Sequence, residues 1–340
     1  MPSWECSEDW PVPRPGTRPW RCAWGCSGSL RCRRPCRWCC WSRGRDVGGG
    51  ARTERGERPV DCLENTVNGS DASEWRIADI DVPAYLAALG IEAEAPSLDL
   101  LERLHRAHVL TFPFSNVEVL LGHHPGVAPA TVFDQLVTRR RGGYCFEHAQ
   151  LFAAALEALG STVRRALGRV RSLQSARSHM TVLVDLAGVR YLCDPGFGFS
   201  ITGPVPLHDG ARRVDTGQAF TVGRVLDEGW PLWSLSRNGS LEHVLDESTV
   251  HPADVRMGHL MTSTAEDSVF RHHLMVMRHT PEGHVTVTER GVTERAAGQR
   301  TSQQDLTASE VVGRVRDLGV SLSEGEAERL TSVGRGLRNQ

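Results

Sequence analysis

Beyond Cys62, only Cys145 and Cys193 lie in the part of this 340-residue sequence that reads as folded, and Cys145 is placed for chemistry. It follows Arg141-Gly142-Gly143-Tyr144 and opens a stretch in which Phe146, Ala149, Ala153, Leu156 and Leu159 recur at helical spacing. A thiol at a helix start faces unpaired N–H groups and the positive end of the helix dipole, which favours the thiolate. Two preceding glycines let the backbone turn sharply and let a substrate come close. A lone cysteine is most often an inert buried one, so residue types alone leave both readings open.

A partner for the thiol follows from strand pairing. His179 through Leu186 and Val189 through Asp194 flank Ala187-Gly188, a two-residue hairpin loop. That loop sets Thr181 opposite Asp194 and Asp185 opposite Arg190. Because strand side chains alternate, His179 shares a face with Thr181 and is the diagonal neighbour of Asp194, at ~7–8 Å between backbones. Asp185 lies at the turn end, roughly 20 Å from His179 at ~3.3 Å per residue, and reads as a surface ion pair with Arg190. Cys193 falls on the opposite face from Asp194. A carboxylate holding an imidazole, with that imidazole facing a thiol, is the arrangement of an activated cysteine nucleophile.

These residues need a scaffold, and periodicity predicts one. Asp81 caps a helix running through Pro83, Tyr85, Leu86 and Leu89 to Gly90; Ser97 starts a second; Thr131 with Asp134 starts a third; and the Cys145 helix stops at Gly160. The period then changes. Strands are expected at 163–170 and 179–193, with further pieces at 219–226, 232–236, 241–245, 274–279 and 284–289, and helices near 307–318 and 323–331. Helices followed by short strands and a mixed end predict a helical subdomain feeding an antiparallel barrel or sheet.

Composition bounds the rest. Hydrophobic residues make up 40% and charged residues 24%, which excludes a wholly disordered chain, and no apolar run approaches the roughly 18 residues of a membrane span. A net charge of −2 argues against a nucleic-acid-binding surface. All 39 basic residues are Arg, a coding bias more than a chemical signal. Residues 1–60 stand apart, with 12 Arg against 6 acidic residues, six of the nine Trp and seven of the ten Cys. Cysteines 22, 26, 32, 36, 39 and 40 lack the pair–loop–pair spacing of a zinc site, and no His precedes His105, so no metal is expected. Residues 1–66 read as an unstructured Arg/Trp/Cys-rich extension or a mis-assigned start, with Val67 as the alternative beginning.

The segments Arg140-Arg141-Gly142-Gly143-Tyr144-Cys145-Phe146-Glu147, His179-Met-Thr-Val-Leu-Val184 and Cys193-Asp-Pro-Gly-Phe-Gly198 resemble the arylamine N-acetyltransferases. That family has an R-G-G-x-C-x-E motif, a strand His and a D-x-G-F-G turn. Further similarity lies at Phe112-Pro-Phe-Ser-Asn116 and from His259 through Thr262-Ser-Thr264 to Asp267-Ser268. The resemblance implies an α+β fold: a helical bundle (76–160) bearing the cysteine, an antiparallel β-barrel (161–265) bearing His and Asp, and an α/β lid (266–340), with a cysteine-protease-like core. It implies a triad of Cys145, His179 and Asp194. The implied reaction is ping-pong transfer of acetyl from acetyl-CoA, a cosubstrate and not a tightly bound cofactor, to a small aromatic amine or hydrazine. O-acetylation of N-hydroxyarylamines uses the same chemistry.

Phe114, Phe197 and Phe199 are candidates for an apolar floor under the acceptor, and Arg141 is expected to pair structurally with Glu147. Nucleic-acid or membrane partners are not expected, the location implied is cytoplasmic, and no feature speaks to oligomeric state. The alternatives are an amide synthase releasing a macrolactam from a carrier-bound polyketide, a transglutaminase- or peptidase-like cysteine enzyme, and a silent binding module. The sequence departs from the family at Ala149 and Gly258, where an Asn is usual, and restoring both amides is expected to raise activity or stability.

Overall fold

The computed structural model describes residues 74–339, so the expectations for residues 1–66 lie outside the described residues. Helices α1 (Val82–Leu89), α2 (Leu98–Thr111), α3 (Val117–Leu120), α4 (Pro129–Phe133) and α5 (Cys145–Ala158) come first, with strand β1 (Phe114–Ser115) between α2 and α3. Asp81 accepts from the Ala84 N–H at 2.9 Å and Ser97 from the Leu100 N–H at 3.1 Å, so both expected caps form. The third helix begins earlier than expected. Pro129 occupies its first turn, where a missing N–H and a fixed φ are tolerated, and Thr131 lies inside it; the chain continues as a π-helical turn, Asp134–Thr138.

Strands β2 (Thr162–Val170), β3 (His179–Leu186), β4 (Val189–Cys193), β5 (Val205–Pro206), β6 (Arg212–Asp215), β7 (Gln218–Asp227), β8 (Trp230–Arg237) and β9 (Ser240–Leu245) form one antiparallel sheet. Its order is β5-β4-β3-β2-β9-β8-β7-β6. Four of its connections are two-residue loops in which both residues have positive φ, at 187–188, 216–217, 228–229 and 238–239. Such turns match the twist of the flanking strands and lock their register. Inward side chains from seven of the strands, among them Ala166, Leu183, Leu192, Val205, Phe220, Leu235 and Leu245, meet in a single cluster, which gives the sheet its near-barrel form.

After α6 (Pro252–Thr264) and α7 (Val269–His272), strands β10 (Val276–His279), β11 (Gly283–Val287), β12 (Gly291–Ala296) and β13 (Ser302–Asp305) make a second antiparallel sheet, which the distant β1 joins as the edge strand beside β10. Helices α8 (Ala308–Asp317) and α9 (Glu324–Leu337) cover it, burying Val276, Val287, Val311, Val315 and Leu330 together. No described helix is long and apolar enough to cross a membrane.

Candidate active site

Cys145 is the first residue of α5, 4% exposed. Glu147 reaches back to the Tyr144 N–H at 3.3 Å, satisfying one of the free donors at this helix start. The turn before it is held by closeness: a Cβ on Gly142, which has φ +67°, would stand 2.6 Å from the Pro113 carbonyl oxygen. The Gly143 carbonyl accepts from the Ser115 N–H at 2.7 Å and from His148 Nε2 at 3.1 Å. A buried chain extends from there. A carbonyl can only accept, so His148 Nε2 carries the proton, His148 Nδ1 accepts from His108 Nε2 at 2.8 Å, and His108 Nδ1 accepts from the Tyr85 hydroxyl at 2.8 Å. Burial pushes both imidazoles down, His108 well below its ordinary value, so the chain is neutral.

The β3–β4 hairpin has the derived register: Leu186 faces Val189, Asp185 faces Arg190 and Val182 faces Cys193. His179 Nε2 donates to Asp194 Oδ2 at 3.1 Å, and Asp185 pairs with Arg190 at 2.7 Å instead. Burial disfavours the charged form of His179, but the Asp194 carboxylate outweighs it and the neighbouring Cys145 adds to the shift, raising the ring to about 10. Burial likewise opposes ionisation of Asp194, yet His179 and His243 hold it well below the usual carboxylate range. The loop after Asp194 brings hairpin and helix together: a Cβ on Gly196 would lie 2.8 Å from the Cys145 Cα. Cys193 is fully buried, and burial pushes its thiol well up.

One member was not anticipated. His243 on β9 donates through Nε2 to the same Asp194 oxygen at 2.9 Å. The polar atoms of His179, Asp194 and His243 lie within 4.8 Å of one another, a metal-binding set by residue type. As placed, both Nε2 atoms donate to the one carboxylate oxygen, which ties the three side chains together by hydrogen bonds. The available signal was parity: His243 and Leu245, two apart on β9, share a face, and Leu245 points into the barrel.

Of the three phenylalanines, Phe197 meets the two imidazoles that share Asp194, its ring 5.1 Å from that of His179 and 5.5 Å from that of His243. Phe114 packs beside Gly198 and 6.1 Å from Phe270. Phe199 turns to His284, 4.0 Å away, with Arg237 over its ring at 4.2 Å.

Two expectations are corrected. Arg141 does not pair with Glu147; its guanidinium engages Glu118, Glu326 (2.8 Å) and the Ser321 carbonyl (2.7 Å), while Glu147 takes His124. An arginine fork suits two carboxylates converging from α3 and α9, whereas Glu147 is drawn to its own helix start. An Asn at 258 does not fit, since a Cβ there would be 2.7 Å from the Phe146 ring; at 149, the alanine is fully buried in the helical core. A cavity of about 510 Å³ is lined by His124, Val127, Val255 and His259, the last bonded through Nδ1 to the Tyr144 hydroxyl at 2.5 Å, and Cys145, His179 and Asp194 do not line it.

A family model described as N-acetyltransferase matches residues 97–324. The arylamine N-acetyltransferase of Escherichia coli (strain K12) is 33% identical over 224 residues, covering 63% of this chain and 78% of that protein. The solved arylamine N-acetyltransferase from Mycobacterium abscessus aligns with a TM-score of 0.74 at 26% identity, over 79% of this chain and 99% of that one. The Mycobacterium marinum arylamine N-acetyltransferase, solved in complex with CoA, aligns with a TM-score of 0.69 at 26% identity, over 76% and 99%. With the motif residues gathered at one buried centre, and with this match in sequence and in three dimensions, the chain belongs to the arylamine N-acetyltransferase family of acyltransferases.

Proposed function

We propose that this enzyme moves acetyl from acetyl-CoA to a small aromatic amine or hydrazine through an acetyl-Cys145 intermediate, with His179 and Asp194 completing the triad. The observation that carries the reading is His179 itself, tied through Nε2 to a buried carboxylate and adjacent to the Cys145 sulfur. With Nε2 engaged, Nδ1 is the nitrogen available to the thiol. It takes the thiol proton, and the cationic ring stabilises charge on the sulfur. The thiolate attacks the thioester carbonyl, N–H groups in the first turn of α5 hold the oxyanion, and the C–S bond to CoA breaks as His179 returns the proton to the leaving thiolate. The amine nitrogen then attacks acetyl-Cys145, His179 accepts its proton, and the Cys145 thiolate leaves. A hydroxylamine oxygen can attack in the same place, giving O-acetylation.

Phe197, set against both imidazoles, is the assigned wall for an aromatic acceptor, with Phe114 beyond Gly198 and Phe199 backing the loop. A cytoplasmic location fits a free thiol nucleophile and a CoA donor. The amide-synthase and peptidase-like readings are not favoured, since the relatives compared are arylamine N-acetyltransferases.

Mass spectrometry after incubation with acetyl-CoA alone should find one acetyl group on Cys145, discharged when an arylamine or hydrazine is added. Cys145→Ala should lose both steps and Cys193→Ala should keep them. Acetyl found on another residue, or turnover by Cys145→Ala, refutes the assignment.

A further inference from the structure

The buried carboxylate at the centre of the site serves two imidazoles. Asp194 Oδ2 accepts from His179 Nε2 at 3.1 Å and from His243 Nε2 at 2.9 Å, while Asp194 Oδ1 and His243 Nδ1 are buried without a hydrogen-bond partner among the described residues. An ionised carboxylate only accepts, so His243 must carry its proton on Nε2 and leave Nδ1 bare. His243 is itself fully buried, its ring 4.7 Å from that of His179, and Phe197 closes over both.

From this geometry we infer that His243 is a positioning residue of the transfer reaction: a neutral donor that fixes Asp194 with Oδ2 toward His179 and limits how strongly that oxygen holds the His179 proton. The inference rests on the triad proposed above and adds a fourth member from a strand that is not part of the hairpin.

Two effects follow. With His179 as the only donor, the carboxylate could turn either oxygen to it. A second donor on one oxygen selects one rotamer, and with it one imidazole orientation. A second hydrogen bond also draws charge from Oδ2 and weakens its pull on the triad proton. His179 must receive a proton and then give it up in each half-reaction, so too tight a hold slows the return. A cationic His243 beside a cationic His179 would repel it. Burial pushes His243 below its ordinary value, and the charged or titratable groups acting on it are Asp194, His179 and, from its own strand, Glu242, which is paired with Arg237.

The test compares His243→Phe with His243→Gln, whose amide nitrogen can donate to the same oxygen. Pre-steady-state acetylation of Cys145 by acetyl-CoA and the pH profile of its alkylation by iodoacetamide are measured on the full chain. His243→Phe should slow acetylation roughly 10–100-fold and move the alkaline limb of the alkylation profile up by about one pH unit. His243→Gln should keep both near the native values. A His243→Phe profile superimposable on the native one overturns the inference, as does a Gln variant that behaves like Phe. Should His243→Phe not fold, imidazole ¹⁵N spectra of the native protein decide: a neutral His243 protonated at Nε2 is expected, and a cationic ring or the Nδ1–H form refutes it. Failure of the triad reading is distinct, since native Cys145 would then take no acetyl at all.

Discussion

Two groups of buried histidines flank Cys145, built from the same residue type at the same depth and set to opposite tasks. In one, His179 and His243 share the Asp194 carboxylate, and His179 is raised to about 10. In the other, His108 and His148 form a directional chain from the Tyr85 hydroxyl to the Gly143 carbonyl, and both are pushed down by burial. Burial alone makes an imidazole a neutral strut, because desolvation removes its charged form. An ionised partner inside hydrogen-bond distance opposes desolvation, and at His179 it prevails. His243 shows the balance, since it touches the same carboxylate as His179 and is still lowered.

The largest effect expected from breaking this contrast is at Asp194. Asp194→Asn removes the charge and can hold the ring in the wrong tautomer, so acetylation of Cys145 should fall roughly 1,000- to 10,000-fold. Stopped-flow release of free CoA measures it, and a change below tenfold would mean that the carboxylate does not control His179.

The next effect is on stability against pH. His105 and His279, lowered to about 4, and His284, lowered to about 3, are neutral in the folded chain. The unfolded chain takes up a proton at each near pH 6.5 and the folded chain does not until near those values, so stability falls as pH drops from 6.5. Each such group contributes a slope of roughly 1.4 kcal/mol per pH unit. His179 has the opposite sign: its contribution is complete below about pH 6.5 and is lost as pH rises through about 10. Urea unfolding followed by circular dichroism should therefore show a decline at both ends, and Asp194→Asn should shrink the alkaline decline to the part that Cys193, Tyr85 and Tyr144, all raised by burial, contribute, while leaving the decline between pH 6.5 and 5. Equal stability at pH 6.5 and 5 would contradict the neutral assignment.

Tyr85→Phe probes the strut side. It leaves the His108 Nδ1 lone pair buried and unpaired, at about 1–3 kcal/mol of stability. The pH profile of Cys145 alkylation should stay where it is. A shifted profile would show that the neutral chain reaches the thiol after all.

The smallest effect is at the other carboxylate of the hairpin. Asp185 faces solvent and pairs with Arg190, so Asp185→Asn should cost under about 1 kcal/mol and leave acetylation unchanged. Two aspartates on one hairpin, nine residues apart, then differ by their surroundings alone.

What could be read from the sequence was local. Asp81 and Ser97 start their helices because a side-chain oxygen meets an N–H within one turn. The Ala187-Gly188 loop sets the β3–β4 register, and that register alone pairs His179 with Asp194 and leaves Asp185 to Arg190. The Cys145 helix start is equally local. The contacts that needed the folded chain join residues far apart. β9 lies beside β2, and only that pairing carries His243 to Asp194. Arg141 finds Glu326 across 185 residues instead of the nearby Glu147. Asn116 bonds the Phe270 and His273 carbonyls and the Met275 N–H, joining the start of α3 to the approach to β10. The motif places Cys145 at its helix start and the hairpin pairs His179 with Asp194. Whether a buried imidazole is charged depends on the balance of burial, carboxylates and other imidazoles packed against it, and that set of neighbours is chosen by tertiary packing, which no local spacing encodes.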